Sequence, residues 1–232
     1  MYSADFAYVH DAGFGEFATR TAPEVIRMLR AHGVRGGRIV EIGCGSGILA
    51  RRLIDAGYKV TAIDRSRDMI ALARARAPEA TFHAGSLTRA KIPRCEAAIA
   101  IGEVVSYVSS SLGPFFRRVA AALPPGGLFI FDFMASAKGR TYPARSISGA
   151  DWELIVRAEL NGTERTLVRR MTLLRKVNGR YRRSRETHHV TIRSKDEVRA
   201  ALVDAGFAAA MSRSYGRYRL LRGDVAVVAK KR

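Results

Sequence analysis

Two carboxylates and a glycine-rich turn are the residues of this sequence whose types and spacing best suit ligand chemistry. Glu41 precedes the turn Gly43–Gly47, and Asp64 follows it by about 20 residues. Glycines let a backbone bend tightly and approach a ligand closely, and the free N–H groups of the next helix can face that ligand. A carboxylate at the position of Asp64 can accept both hydroxyls of a ribose. The pattern therefore predicts a nucleoside site.

The spacing of the glycines separates two classes of ligand. Dinucleotide sites favour G-x-G-x-x-G, whereas Gly43, Gly45 and Gly47 give G-x-G-x-G. Ile48 stands where the third glycine of the dinucleotide pattern would be. Glu41 would repel a pyrophosphate and suits a ligand with a cationic amino-acid end. The alternative is a Rossmann-like domain that binds another nucleotide or none.

The periodicity of apolar residues predicts the elements that must hold these groups. A buried strand at 37–40 leads into the turn, and a helix at 48–54 leaves it. A second strand, 58–64, ends at Asp64. Three further strands follow, at 80–83, 96–102 and 128–133, and a helix at 112–123 precedes the last of them. The glycine turn and Asp64 thus both lie at predicted strand ends.

In these residues and their order, the chain resembles the class I S-adenosylmethionine-dependent methyltransferases, over about residues 36–133. The resemblance rests on Glu41–Gly47, on Gly57–Ser66 and on Met69. It implies an α/β fold: a doubly wound, Rossmann-like, mostly parallel seven-stranded sheet with an antiparallel last strand. It also implies S-adenosyl-L-methionine as the cofactor, no metal, and an enzyme of class EC 2.1.1.-.

The resemblance further implies the residues of the cofactor site. Arg65 and Met69 would border the adenine. The family usually has an acid at the position of Ser86, so here the Ser86 hydroxyl or the Leu87 backbone must accept from the adenine amino group. The fourth strand ends at Gly102-Glu103, where the acceptor would meet the sulfonium. The cofactor residues predicted in this way are Glu41, Gly43, Cys44, Gly45, Asp64, Arg65, Met69, Gly85, Ser86, Leu87, Gly102 and Glu103.

Candidate catalytic residues are few, because methyl transfer from a sulfonium is an in-line displacement that depends mainly on alignment. Glu103 and Tyr107 follow the fourth strand, where they could hydrogen-bond an amine acceptor; Glu103 could instead bind cofactor or cap a helix. His188 shares a strand face with apolar residues and is predicted to be packed. His189, on the polar face, is the acid/base candidate if that face overhangs the cofactor, or else a structural or solvent-facing residue.

Two segments flank the predicted core. Residues 1–34 form an aromatic, helical segment in which Pro23 is predicted to begin a helix. The resemblance implies a lid, and ordinary packing is the alternative. Residues 136–193 contain strand-like runs separated by Asn161-Gly162 and Asn178-Gly179, which predict hairpins. This inserted antiparallel β meander is predicted to cap the acceptor site of a single methyltransferase domain, 1–232; a dimerisation sheet is the alternative.

Composition indicates which partners and which compartment are favoured. The net charge of +19 comes from arginines scattered along the whole chain, so nucleic acid is the less favoured partner. Arginines of the insert could recognise an anionic group on the acceptor or form a solvated face. No apolar run reaches membrane length and both cysteines are predicted to be reduced, which indicates a cytoplasmic protein. We expect a monomer or homodimer that methylates N or O of a small-molecule acceptor. An RNA methyltransferase and a non-catalytic S-adenosylmethionine-binding protein are the alternatives.

Overall fold

The computed structural model describes residues 3–138, 141–161, 163 and 165–232. Two helices, α1 (Ala4–Phe14) and α2 (Glu16–Ala31), precede the central sheet. The core then follows as β1 (Arg38–Ile42), α3 (Ile48–Asp55), β2 (Lys59–Asp64), α4 (Arg67–Arg76), β3 (Thr81–Ala84), β4 (Ala97–Ala100), a 3-10 helix (Val104–Tyr107), α5 (Leu112–Ala122) and β5 (Leu128–Met134). The remaining elements are β6 (Arg145–Ser148), β7 (Trp152–Leu160), β8 (Thr166–Val177), β9 (Arg180–Thr191), α6 (Lys195–Asp204), β10 (Phe207–Ser212), β11 (Ser214–Tyr215), β12 (Tyr218–Arg219) and β13 (Asp224–Lys231). None of the helices in the described ranges combines the length and apolar character that crossing a membrane requires.

The central sheet has seven strands in the order β10-β13-β5-β4-β1-β2-β3. All neighbours are parallel except that β13 runs antiparallel to both β5 and β10. The predicted mostly parallel seven-stranded sheet with an antiparallel last strand is therefore confirmed. The direction of winding reverses between β1 and β4, and such sheets bind ligands outside the carboxyl ends of the strands at this point.

Helices cover both faces of the sheet. On one face, α5 and α6 bury Phe115, Phe116 and Leu202. On the other face, α2 and α3 bury Leu29 and Leu49. Because both faces are covered, β4 and β5 are buried along their whole length. The packing fixes the carboxyl ends of the strands, and these ends position the residues of the site.

The insert is a second, antiparallel sheet of four strands in the order β6-β7-β8-β9. One of its faces is apolar. Trp152, Leu154 and Leu173 of this face pack in one cluster with Phe6 and Val9 of α1. The predicted meander is confirmed, with the additional strand β6. The insert and α1 thus form a common layer.

The structure contains both predicted hairpins. Asn178 and Gly179 have φ of 50° and 77°, as a two-residue type I′ turn requires. At the other hairpin, β7 pairs antiparallel with β8 through a longer loop, because β7 ends at Leu160 and β8 begins only at Thr166. The Asn161 side chain instead accepts hydrogen bonds from the backbone N–H groups of Arg165 and Thr166. Gly162 itself lies outside the described residues.

The prediction that Pro23 begins a helix is wrong. Pro23 lies inside α2, which begins at Glu16. Thr19 and Thr21, one turn or less before Pro23, back-bond to the carbonyls of Gly15 and Phe17. The apolar face of α2 packs against the sheet, and this burial outweighs the local cost of an internal proline.

The start of α6 gives a stability prediction. Ser194 Oγ accepts from the Glu197 N–H at 3.1 Å, and Glu197 accepts from the Ser194 N–H at 2.7 Å. Replacing Ser194 by Ala leaves a helix N–H unpaired, and we expect the free energy of unfolding to fall by about 1 kcal/mol in urea titrations. Lys195→Ala, at the exposed next position, serves as the control and should change it by less than about 0.5 kcal/mol. Equal effects of the two substitutions would contradict a stabilising cap.

Candidate functional site

A cavity of about 930 Å³ opens at the carboxyl ends of β1, β2 and β4 and extends to α1 and the insert. Most of the residues predicted from the sequence line this one cavity. They are Glu41, Gly43, Cys44, Gly45, Asp64, Arg65, Met69, Gly85, Leu87, Gly102, Glu103, Tyr107 and His189. Its size lies within the usual range for small-molecule sites, about 300–1,000 Å³.

Ser86 is the predicted cofactor residue that the structure does not bring into the lining of this cavity. It is exposed, and its hydroxyl lies 2.9 Å from the hydroxyl of Thr88 within a turn. We therefore correct the prediction that the Ser86 hydroxyl faces the adenine. The neighbouring Leu87 does line the cavity, so the alternative, recognition through its backbone, stays a prediction.

The glycine turn presents bare backbone to the cavity. Gly45 has φ of 52°, and a Cβ built on it would meet nothing within 4 Å, so this position faces open space. Gly43 is confined instead, since a Cβ there would lie 2.5 Å from a Val104 methyl. Asp64 braces the turn: one carboxylate oxygen accepts from the Gly45 N–H at 2.9 Å, and the other accepts from the Ser66 N–H at 2.8 Å. Asp64, at the end of β2, therefore helps to hold the glycine turn that follows β1.

Glu41 is a buried carboxylate with an unsatisfied oxygen. Its side chain comes from β1, it is 3% exposed, and Oε2 has no hydrogen-bond partner among the described residues. Burial, and then the charge of Asp64, raise the pKa of Glu41 to about 8, while a hydrogen bond from the Ala50 amide acts in the opposite direction. A cation beside Oε2 would satisfy this group. The ammonium end of S-adenosylmethionine has the charge and donors that fit.

Asp132 holds the end of β4 from the neighbouring strand β5. Its carboxylate accepts from the backbone N–H groups of Gly102, at 2.8 Å, and Glu103, and from the Tyr215 hydroxyl at 2.8 Å. Burial raises the pKa of Asp132 to about 6, although these hydrogen bonds oppose the shift. Glu103 has φ of 62°, a left-handed conformation that is strained for this residue type. Asp132 therefore fixes an unfavourable backbone at the point where the sequence predicts the acceptor.

Helix α1 is tied to the glycine turn. The Ser46 hydroxyl donates to Asp11 at 2.6 Å, and Arg76 of α4 pairs with Asp11 at 2.9 Å and also donates to the Ser46 carbonyl. Burial raises the pKa of Asp11, but the hydrogen bonds from Arg76 and Ser46 and the Arg76 charge outweigh it, so the net pKa is lowered. His10 and Phe14 of the same helix line the cavity. This position agrees with a lid, which stays a prediction.

An ion pair joins the core to the insert in the lining of the cavity. Both oxygens of Glu103 accept from the Arg169 guanidinium, at 2.8 and 3.2 Å. Arg169 also donates to the Tyr107 hydroxyl, and burial raises the pKa of that hydroxyl. Both Glu103 oxygens are thus engaged by Arg169, and the sequence alone did not indicate this ion pair.

The two histidines of β9 lie on opposite faces of the insert, as the alternation predicted. His189 is exposed and is among the residues that line the cavity. His188 is on the apolar face, with Nδ1 at 3.3 Å from the Tyr107 hydroxyl and Nε2 at 3.0 Å from Glu186. The face of the insert that carries Leu154 and Met171 lines the cavity, and Thr187 and His189 of the other face line it as well. The acid/base role of His189 therefore stays a prediction, and His188 is the histidine of the two that contacts Tyr107.

Residues that the sequence did not indicate complete the site. Ser46 and Asp132 carry no motif signal, because their partners are distant in sequence. Arg169 was considered only within the general group of insert arginines. Among the described residues, no three His, Cys, Asp or Glu side chains form a group that could hold a metal ion.

Comparison with known proteins supports the predicted family. A protein-family model described as a methyltransferase domain matches residues 39–127. A dTDP-3-amino-3,6-dideoxy-alpha-D-glucopyranose N,N-dimethyltransferase of Streptomyces fradiae is 27% identical over 139 residues, which are 56% of this chain and 54% of that protein. The chain thus spans about half the length of this curated relative. The family match confirms the resemblance to methyltransferases that was drawn from the sequence.

Two solved structures show the same fold. An S-adenosylmethionine-dependent methyltransferase from Clostridium acetobutylicum has a TM-score of 0.85 at 14% identity, with 97% of each chain covered. CalS10, an amino pentose methyltransferase from Micromonospora echinaspora with S-adenosylmethionine bound, has a TM-score of 0.78 at 19% identity, with 100% of this chain and 98% of that chain covered. At these identities the similarity establishes the fold.

The raised pKa of Glu41 predicts that cofactor binding releases a proton. An ammonium group binds the ionised carboxylate, whereas Glu41 is mostly protonated below its pKa of about 8. We expect the dissociation constant for S-adenosylhomocysteine to rise about tenfold for each pH unit below 8. Calorimetry at pH 7 in buffers of different ionisation enthalpy should show release of about one proton.

Glu41→Gln should weaken this binding at pH 8 and abolish both the proton release and the pH dependence. Glu159→Gln, an exposed pair with Arg170 on the insert, is the matched control and should behave as wild type. Binding that is flat between pH 6 and 8 in the wild-type protein would contradict the assigned role of Glu41.

Asp132 gives a second, independent pH prediction. Because burial raises its pKa from 3.8 to about 6, the folded protein holds the proton longer than the unfolded chain does. Its contribution to stability is therefore fully present below the unfolded-state value and is lost as pH rises to about 6. Over this range, the unfolding free energy of wild type should fall relative to Asp132→Asn by the order of 1–3 kcal/mol in urea titrations. Tyr215→Phe keeps the carboxylate and should keep the slope; parallel profiles for wild type and Asp132→Asn would contradict the assignment.

Proposed function

We propose that this chain is an S-adenosylmethionine-dependent methyltransferase, EC 2.1.1.-, that transfers a methyl group to N or O of a small-molecule acceptor. The observation that carries the proposal is the continuity of one cavity. It joins the unsatisfied Glu41 carboxylate and the bare Gly45 backbone to a second compartment lined by Tyr107, Arg169 and Leu154. Such a cavity can hold a cofactor and an acceptor side by side. The family match over residues 39–127 supports the same conclusion.

The residues present fit S-adenosylmethionine from end to end. Glu41 would hold the ammonium group, and Asp64 the ribose hydroxyls. Met69 and Leu87 would border the base. When bound, the cofactor supplies a methyl group on a sulfonium, whose sulfur leaves readily as a thioether. The chain therefore needs to orient the acceptor, exclude water and take up one proton; alignment alone contributes up to about 7–11 kcal/mol to such reactions.

The acceptor compartment fits a small molecule. Its apolar wall is formed by Phe14 of α1 and Leu154 and Met171 of the insert, and its polar wall by Tyr107 and Arg169. A compartment between a helix and an inserted sheet offers little access to a folded nucleic acid. Two of the proteins named above, the Streptomyces fradiae relative and CalS10, are named as methyltransferases of amino sugars, so amine acceptors of this class are the first to test.

The proposal includes the cytoplasm as the site of action. Both cysteines, Cys44 and Cys95, are free and buried, as in a reducing compartment. Burial is the main reason that the pKa of both thiols is raised, so they stay unreactive. We propose a monomer or a homodimer as the working form, and no role for nucleic acid.

A cofactor-binding test examines the proposal directly. Asp64→Asn keeps the shape of a side chain that also braces Gly45 and Ser66, but removes its charge. We expect calorimetry with S-adenosylhomocysteine to show a loss of affinity of about ten- to a hundredfold, from the loss of charged hydrogen bonds to the ribose. Asp68→Asn, an exposed carboxylate in the first turn of α4, is the control and should bind normally.

Methyl transfer is then assayed with labelled S-adenosylmethionine and a panel of amino sugars, phenols and bulk RNA. Label in a small molecule supports the proposal. Transfer only to RNA, or no binding of S-adenosylhomocysteine by the wild-type chain, would overturn it.

A further inference from the structure

Tyr107, His188 and Glu186 form a hydrogen-bonded chain that runs from the cavity into the insert. The Tyr107 hydroxyl lies 3.3 Å from His188 Nδ1, and His188 Nε2 lies 3.0 Å from Glu186 Oε2. The side chains of His188 and Glu186 are each 9% exposed. From this geometry we propose that Glu186, His188 and Tyr107 are a proton relay that removes the acceptor's proton during methyl transfer. The inference rests on the proposed methyltransferase activity.

The carboxylate at one end of the chain sets the direction of every hydrogen bond. An ionised carboxylate can only accept, so Glu186 selects the His188 tautomer with its proton on Nε2. Nδ1 then carries a lone pair and accepts from the Tyr107 hydroxyl. This leaves the Tyr107 oxygen to accept hydrogen bonds. One of its two lone pairs receives an Arg169 N–H, and the other is available to an N–H or O–H of the acceptor.

The surroundings make Tyr107 a carrier of the proton rather than its final site. Burial raises the pKa of Tyr107, with the Arg169 charge opposing and the Glu103 charge reinforcing this shift, so the phenol keeps its proton at neutral pH. His10 of α1 is close enough to interact with His188, and burial lowers the pKa of His10, which keeps that neighbour neutral. The charged groups around His188 include Glu186 on its own strand, Arg169 opposite it on β8 and, paired to Arg169, Glu103. Glu186 is the member of this set that directly contacts the ring.

The relay step balances in atoms and charge. The acceptor N or O forms a bond to the methyl carbon as the carbon–sulfur bond of the sulfonium breaks, and the sulfur keeps the electron pair as a thioether. The acceptor proton moves to the Tyr107 oxygen while the Tyr107 proton moves to His188 Nδ1. The product is an imidazolium beside the Glu186 carboxylate. Glu186 also accepts from the Ser3 N–H at 2.9 Å at the exposed start of α1, and this hydrogen bond holds the carboxylate beside the His188 ring.

The roles differ within the chain. Tyr107 would touch the acceptor and is the catalytic residue. His188 and Glu186 act through it and are positioning residues that also store the proton. In a purely structural alternative, the same contacts hold the insert against the 3-10 helix and transfer no proton. The two accounts differ in the ring tautomer and in which kinetic constant changes.

The test begins with the ring itself. Histidine labelled with ¹⁵N, in the full chain saturated with S-adenosylhomocysteine, reports the tautomer of His188 by NMR at pH 7.5. We expect the Nε2–H form in wild type and a mixture of tautomers in Glu186→Gln, whose amide can also donate. An Nδ1–H ring in wild type overturns the proposal, since Tyr107 would then have no acceptor. This measurement requires no methyl acceptor.

The second arm is kinetic and uses dTDP-3-amino-3,6-dideoxy-α-D-glucopyranose, or any substrate found in the panel above. We expect His188→Gln to lower kcat about 100-fold or more, as for loss of a general base, while acceptor KM and the dissociation constant of S-adenosylhomocysteine change less than about threefold. Glu186→Gln should lower kcat less. His32→Gln, an exposed histidine at the end of α2, is the control for loss of an imidazole. Unchanged kcat in His188→Gln, or a rise in KM with kcat retained, overturns the relay. Loss of S-adenosylhomocysteine binding by wild type overturns the methyltransferase proposal instead.

Discussion

The burial of carboxylates at adjacent strand ends is the constraint on which this structure depends. Glu41 on β1, Asp64 on β2 and Asp132 on β5 all lie at the carboxyl edge of the sheet, and burial raises the pKa of each. A buried charge is tolerated only when donors or a counter-charge surround it. Asp64 and Asp132 receive backbone N–H groups from the loops that follow β1, β2 and β4. Glu41 accepts one backbone hydrogen bond, and its Oε2 has no hydrogen-bond partner among the described residues, so a cationic ligand would find an acceptor there.

The insert performs two tasks through the two kinds of residue on its inner face. Its apolar residues join α1 in a small core, and its charged residues fix that core to the rest of the chain. Arg175 and Arg182 both pair with Asp5 of α1, and the Arg175 guanidinium lies 3.7 Å from the centre of the Tyr8 ring. These two arginines, which the sequence could have assigned to an anionic acceptor, thus hold α1 against the insert. Part of the large positive charge is therefore used internally, and this explains why basic composition is a weak guide to the partner here.

The sequence allowed prediction of the cofactor half of the cavity and much less of the acceptor half. Gly43, Gly45 and Asp64 are close in sequence to the elements that position them, so spacing and strand order suffice. The alternation of β9 correctly separated His188 from His189, but which face covers the cavity depends on Trp152 and Leu173 packing against α1. Arg169 meets Glu103 across 66 residues, and Ser46 meets Asp11 across 35. No local pattern encodes such pairs, and the same is true of the contact between Tyr107 and His188.

The left-handed backbone at Glu103 shows why these long-range pairs matter to chemistry. Such a conformation costs of the order of 1–3 kcal/mol in a residue other than glycine, and persists only if its surroundings determine it. Here Asp132 accepts its N–H, and Arg169 binds both oxygens of its side chain. The same Arg169 donates to the Tyr107 hydroxyl, so these side chains form one unit. Asp132 comes from β5, Glu103 from the end of β4, Tyr107 from the 3-10 helix and Arg169 from the insert. This wall of the cavity therefore exists only in the completed fold, whereas the glycine turn is already defined by β1, β2 and the loop between β1 and α3.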